Sequence, residues 1–242
     1  MGNEIMRMLK GKGFWMGFMT AMAGISLGAS YPELQGLLNP GSFVDMETEA
    51  LKSNAMIFFL PLAAVLPWSD SFIRERQGGF LKTALPRTGR RYYVESKVFT
   101  TALSGFLSVF LAGTLMFLAY FMIFFPLEAQ GKFPWGQTAE LGRILLRCGL
   151  VAAALSTGGG IFAGLTGSVY LAFGFPFVLY YFCVILRDRY FKKALWLYPP
   201  QWMEGSAEWG EKGLGLWLFL FVLLGMLMAL YGGILYDRVE EI

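Results

Sequence analysis

The sequence predicts an all-α membrane protein with six transmembrane helices, and three observations carry that prediction. Of 242 residues, 56% are hydrophobic and only 15% charged, against roughly 45–50% and about 25% in soluble domains. A soluble fold has no place for that much apolar surface, so lipid is the predicted solvent. The apolar residues fall into six runs, each near the ~20 residues that carry a helix across a bilayer. None alternates with period two, and backbone groups in lipid must pair within their own segment, which leaves helices. One transmembrane domain, 1–242, holds all six.

Taken in order, NEIMRMLKGK at 3–12 puts Ile5, Met8 and Leu9 on one helical face and Arg7 and Lys10 largely on another. That pattern predicts a short helix lying in the membrane interface. The first span, 13–31, has Gly13, Gly17, Gly24 and Gly28 at spacings that let helix backbones approach closely, within the chain rather than across a dimer. Lys10 and Lys12 before it resemble a signal peptide's flank, but with five spans following, a retained anchor is expected. The second span, 53–69, contains Pro61 and Pro67, and the fifth contains Pro176; each predicts a kink. The third span is placed at 98–125. Residues 148–186 form one nearly uncharged run, too long for a single crossing. It is divided into a fourth span, 143–165, and a fifth, 168–186, by a tight turn near Thr166–Ser168. Residues 188–213 are too polar to span but rich in Trp, Tyr and Pro, which predicts short helices at the outer interface before the sixth span, 214–236.

Composition also excludes functions. The chain has no histidine, which removes His-based acid/base catalysis, Ser-His and Cys-His pairs and His-ligated metals. Cys148 and Cys183 lie in apolar runs and are expected to be free buried thiols. No GxxxxGK[ST] phosphate loop is present. No catalytic, metal or cofactor site is therefore expected, and the chain is not read as an enzyme. A net charge of +3 with no basic tail gives no reason to expect nucleic acid. The span centres hold no acid, which argues against a proton-coupled carrier. ALSGF at 102–106 echoes the LSGGQ signature of transporter ATPases, but it lies within a span and is read as chance.

Orientation follows Lys and Arg near the span ends. With the amino terminus inside, the cytoplasmic side takes Arg7, Lys10, Lys12, Arg74, Arg76, Lys82, Arg87, Arg90, Arg91, Lys97 and Arg238. The outer side takes the other cations, Lys132, Lys212 and RDRYFKK at 187–193 among them, diluted by acids that include Asp45, Glu47, Glu49 and Glu128. Arg143 and Arg147, one turn apart, and Arg187 are candidates for contact with a substrate or with lipid phosphates, the arginine pair by snorkelling to headgroups. The densest cationic block is 69–97, SDSFIRERQGGFLKTALPRTGRRYYVESK. Lying between two spans at the cytoplasmic face, it can dock on a soluble partner.

In this loop Glu75, Gly78, Gly79, Phe80, Pro86, Arg87, Arg90, Arg91, Tyr92, Tyr93 and Lys97 occur in an order that resembles the membrane subunits of type-2 ABC transporters, the ABC-2 permease family. The likeness is to the short, single-domain permeases of Gram-positive bacteria. Six spans, a leading interfacial helix and an aromatic segment before the last span fit the same family. The resemblance implies a multi-pass protein of the bacterial cytoplasmic membrane that pairs with a second permease subunit, alike or different. Each permease would sit on a separately encoded ABC ATPase subunit, and ATP and Mg would be held by that ATPase rather than by this chain. It implies a cytoplasmic coupling helix at 74–86, with Arg74, Glu75, Arg76, Gly79, Phe80, Leu81 and Lys82 meeting the ATPase. Glu75 would pair with cations of its groove, while Phe80 and Leu81 fill the groove's apolar floor. The substrate would be an exported amphipath: an antimicrobial peptide, a drug or a lipid-like compound. The competing readings are a membrane scaffold or sensor without transport, and an intramembrane enzyme, which the missing histidine disfavours.

Overall fold

The computed structural model describes residues 2–31, 38–128, 133–205, 209 and 213–240. Lys132, Lys212 and part of the aromatic segment before the last span lie outside the described residues, as does the side chain of Arg87. The helices are α1 (Gly2–Lys10), α2 (Lys12–Gly28), α3 (Ser42–Lys52), α4 (Asn54–Val65), α5 (Ser71–Gln77), α6 (Phe80–Thr88), α7 (Arg90–Phe124), α8 (Trp135–Thr166), α9 (Val169–Arg189), α10 (Pro199–Glu204) and α11 (Leu214–Glu240). Among the described residues there is no strand, only an isolated bridge between Leu38 and Glu128.

Four helices are long and apolar enough to cross a membrane: α7 with its 3-10 extension, α8, α9 and α11. Their outward faces carry large exposed apolar side chains, among them Leu115, Met122, Val178, Phe182, Leu218 and Phe221. Soluble proteins do not leave such surface in water; the chain is membrane-embedded. The other two predicted spans fold differently. The first is α2, with 17 residues. The second is shortened to α4, whose 12 residues cover about 18 Å at 1.5 Å per residue, less than the ~30 Å hydrocarbon core. The chain leaves the helix after Val65 and turns over 66–70, so Pro67 sits in a turn rather than a span. α3, whose acids read as loop in the sequence, precedes α4 across a break at Ser53, whose hydroxyl caps α4 by accepting the Met56 N–H at 3.2 Å. The expected turn at Thr166–Ser168 is present, with Gly167 at φ 66.

The helices run between two ends. The cationic end gathers α1, α5, α6 and the start of α7. There Arg238 of α11 donates to the Gly164 and Leu165 carbonyls at 3.2 and 3.0 Å, closing the C-terminus of α8. At the far end, the Leu38 N–H donates to the Leu127 carbonyl at 3.1 Å, and Arg187 stacks over Tyr198 with its guanidinium 4.4 Å from the ring centre. Residues 187–193 thus lie at the end opposite α1, as alternating passes require. α8 is central, with 72% of its apolar window buried against 17% for α9 and α11.

Small residues set the packing distances. On α2, a Cβ at Gly13 would stand 2.6 Å from the Leu66 carbonyl, at Gly17 2.7 Å from the Ala63 carbonyl, and at Gly24 2.8 Å from Phe59. The glycine spacing is an intramolecular seam with α4. A second seam joins α7 to α8: Gly105 faces the Ala152 carbonyl, and the Ser156 hydroxyl donates to the Thr101 carbonyl at 2.9 Å. The ALSGF run lies in this seam. Gly17→Ala should push α2 off α4 at an overpacking cost of about 1–3 kcal/mol, read as a lower melting temperature in detergent. An unchanged melting temperature would mean that the seam is not close-packed.

Candidate functional site: a buried ion network at the cationic end

Lys97 lies two turns into α7, and its side chain is 0% exposed. Its ammonium is 2.8 Å from Glu75 Oε1 and 3.2 Å from Glu4 Oε2. Arg7 pairs with the same two acids, at 3.0 Å to Glu75 and 2.6 Å to Glu4. The Tyr93 hydroxyl donates to Glu75 Oε2 at 2.7 Å. Two cations and two anions leave the cluster neutral, which offsets the desolvation of charges placed this deep. Around them, the Trp68 and Tyr93 rings lie 5.4 and 5.6 Å from the Lys97 ammonium, and the Arg7 guanidinium lies 4.8 Å from the Phe80 ring centre. The network therefore joins α1, α5 and α7.

The proposed coupling residues divide into two sets. The single helix expected over 74–86 is two helices, α5 and α6, broken at Gly78–Gly79, where Gly79 adopts φ 70 and glycine bears a left-handed backbone without strain. Glu75 does not face outward. It is buried and bonded to its own chain, so it is not available to cations of a partner's groove. Leu81 is also buried, packed with Phe72, Val94, Val98, Tyr231 and Leu235. Arg76, Gly79, Phe80 and Lys82 lie on the exposed surface, and Arg74 pairs with Asp70 at 2.6 Å with its side chain half exposed. Sequence reasoning missed the roles of Glu4, Arg7 and Tyr93.

At the far end, Arg143 is exposed and pairs with Glu140 at 2.7 Å. Arg147 does not snorkel: it is buried, donates to the Arg143 carbonyl at 3.2 Å, pairs with Glu140 at 3.1 Å and packs against Gly205. Arg187 pairs with Asp188 at 3.0 Å. Glu128 caps α3, accepting from the Gly41 N–H at 2.9 Å, the Ser42 hydroxyl at 2.8 Å and the Phe43 N–H at 3.2 Å. α3, too short to span, carries Glu47, which is fully buried with neither carboxylate oxygen hydrogen-bonded among the described residues. Glu47 lies outside the predicted span centres, and sequence reasoning, which took it for an outer-side acid, did not foresee its burial. The signal was missed because Glu47 sits outside every apolar run. Cys148 is buried and Cys183 partly so, both free. Among the described residues no three His, Cys, Asp or Glu side chains converge as metal ligands.

No family model and no curated protein matches the chain.

Lys97→Ala should cost about 3–5 kcal/mol, the loss for one partner of a buried ion pair, whereas Lys97→Met with Glu75→Gln should recover much of it. Denaturation of the three proteins in detergent checks this, and equal losses would mean the pair is not coupled.

Proposed function

We propose that the chain is the membrane subunit of an ABC transporter of the ABC-2 permease kind, in the bacterial cytoplasmic membrane, driven by separate ATPase subunits. In this reading the chain crosses six times: α2, the α3–α4 pair, α7, α8, α9 and α11. The cationic end faces the cytoplasm, and a second permease subunit completes the pathway. The substrate is an exported amphipath, whether antimicrobial peptide, drug or lipid-like compound.

The observation that carries the reading is the α5–α6 hairpin. It offers Arg76, Phe80 and Lys82 on the exposed surface of the cationic end, while Glu75 on its inner face is ion-paired at 2.8 Å to Lys97 of the long helix α7. A force applied to the outer face is delivered through a buried charge pair to a membrane helix. A transporter without its own nucleotide site needs a connection of this kind.

An ABC ATPase encoded beside this chain is the partner this reading calls for, and the one to test. Arg76→Glu with Lys82→Glu, both at exposed positions, should reduce its co-purification at least about tenfold, the loss for a small hot-spot cluster, without lowering the melting temperature of the permease. Full retention of the ATPase by this folded variant would remove the docking role and favour a scaffold or sensor instead.

A further inference from the structure

Glu47 is the one acid of α3 that the fold buries completely, and it has no hydrogen-bond partner among the described residues. A carboxylate held this way costs several kcal/mol unless a proton or a cation joins it. The cations of the adjoining end of α8 do not serve, since Arg143 and Arg147 both pair with Glu140. Asp45 and Glu49, two residues to either side of Glu47 on α3, are exposed and offer it no cation.

A groove of about 420 Å³ opens sideways between α7 and α8, lined by Phe110, Thr114, Phe117, Leu141, Leu145 and other residues. Its floor is close to Glu47. Gly113 has no Cβ, and the position a Cβ would occupy is filled by Leu145 Cδ2 and lies 3.6 Å from Glu47 Oε1. The Leu145 side chain therefore stands between an apolar groove facing lipid and a buried carboxyl group.

We propose that Glu47 is the anion of a binding site for a lipophilic cation, an alkylammonium group on an apolar body, which enters from lipid through the α7–α8 groove. The body occupies the groove beside Phe110 and Phe117. The ammonium passes Leu145 and donates to the Glu47 carboxylate, taking up the hydrogen bonds that the protein leaves unmade. This names a substrate class for the transport reading and rests on it for its biological sense, although binding itself needs no ATPase.

The test is titration calorimetry with decylammonium on the full chain in nanodiscs of zwitterionic lipid, with empty nanodiscs subtracted and decanol as the neutral comparison. Saturable binding of decylammonium, not shared by decanol, is expected. Glu47→Gln, nearly isosteric, should weaken it about tenfold to a hundredfold, the range for one buried hydrogen bond to a charged group. Thr114→Trp, which fills the groove without touching the carboxylate, should also lose binding, and it stands as the deciding variant if Glu47→Gln elutes as aggregate. The proposal is overturned by absent saturable binding, by equal affinity for decanol, or by wild-type affinity in either folded variant. Loss of ATPase co-purification in the docking variant leaves this measurement unaffected, so the two readings fail separately.

Discussion

The pairing of Lys97 with Glu75 is the interaction on which the cationic end depends. Neither group is stable alone at that depth, since removing a charge from water costs several kcal/mol and only a well-placed opposite charge recovers it. Glu4 and Arg7 complete the set, so the pair also requires α1 to lie where it does. Three helices distant in sequence are thereby fixed to one another. Any motion at this end that keeps the charges paired must carry α1, α5 and the start of α7 together. The apolar cluster of Phe72, Leu81, Val98, Tyr231 and Leu235 extends the same body to α6 and α11.

Above that anchor the bundle is held by contact distance more than by side-chain bulk. Lipid gives apolar side chains little reason to prefer one another, so close backbone approach and buried hydroxyls decide which helices pair. The Gly13–Gly24 face of α2 and the Gly105 region of α7 supply that approach. α8 is enclosed, whereas α9 and α11 keep most of their surface for lipid or for another subunit.

Much of the architecture was legible in the sequence. Spans three to six, the amphipathic α1, the turn at Gly167 and the glycine seam are all local patterns of hydropathy or spacing. The second span was not legible in its true form. Its apolar run continues through Leu66 and Trp68, but Pro67 and the buried bonds of Ser69 belong to a turn, and the Ser69 hydroxyl reaches the Ser156 carbonyl at 3.1 Å. The site was half legible. The cationic stretch 69–97 supplies Glu75, Tyr93 and Lys97 of the network, yet which acid faces inward depends on helix rotation and on partners such as Glu4, 93 residues from Lys97. Glu47 left no trace because α3 is neither apolar enough to read as a span nor periodic enough to read as amphipathic.

The chain therefore buries two acids in opposite conditions. Glu75 is saturated by Lys97, Arg7 and Tyr93; Glu47 is left with none of these. α7 connects them: it contacts Glu75 through Lys97 and passes Glu47 at Gly113, about 24 Å further along at 1.5 Å per residue. Over that distance α7 is one 35-residue helix without proline, and its Ser104–Gly105 step packs against Ala152 and Ser156 of α8. Gly113 and Leu145 stand between Glu47 and the groove at the far end of that stretch. In a transporter driven from the cationic end as proposed, a displacement of the ion network would travel along α7 towards the wall beside Glu47, so the saturated acid and the unsaturated one sit along the same helix.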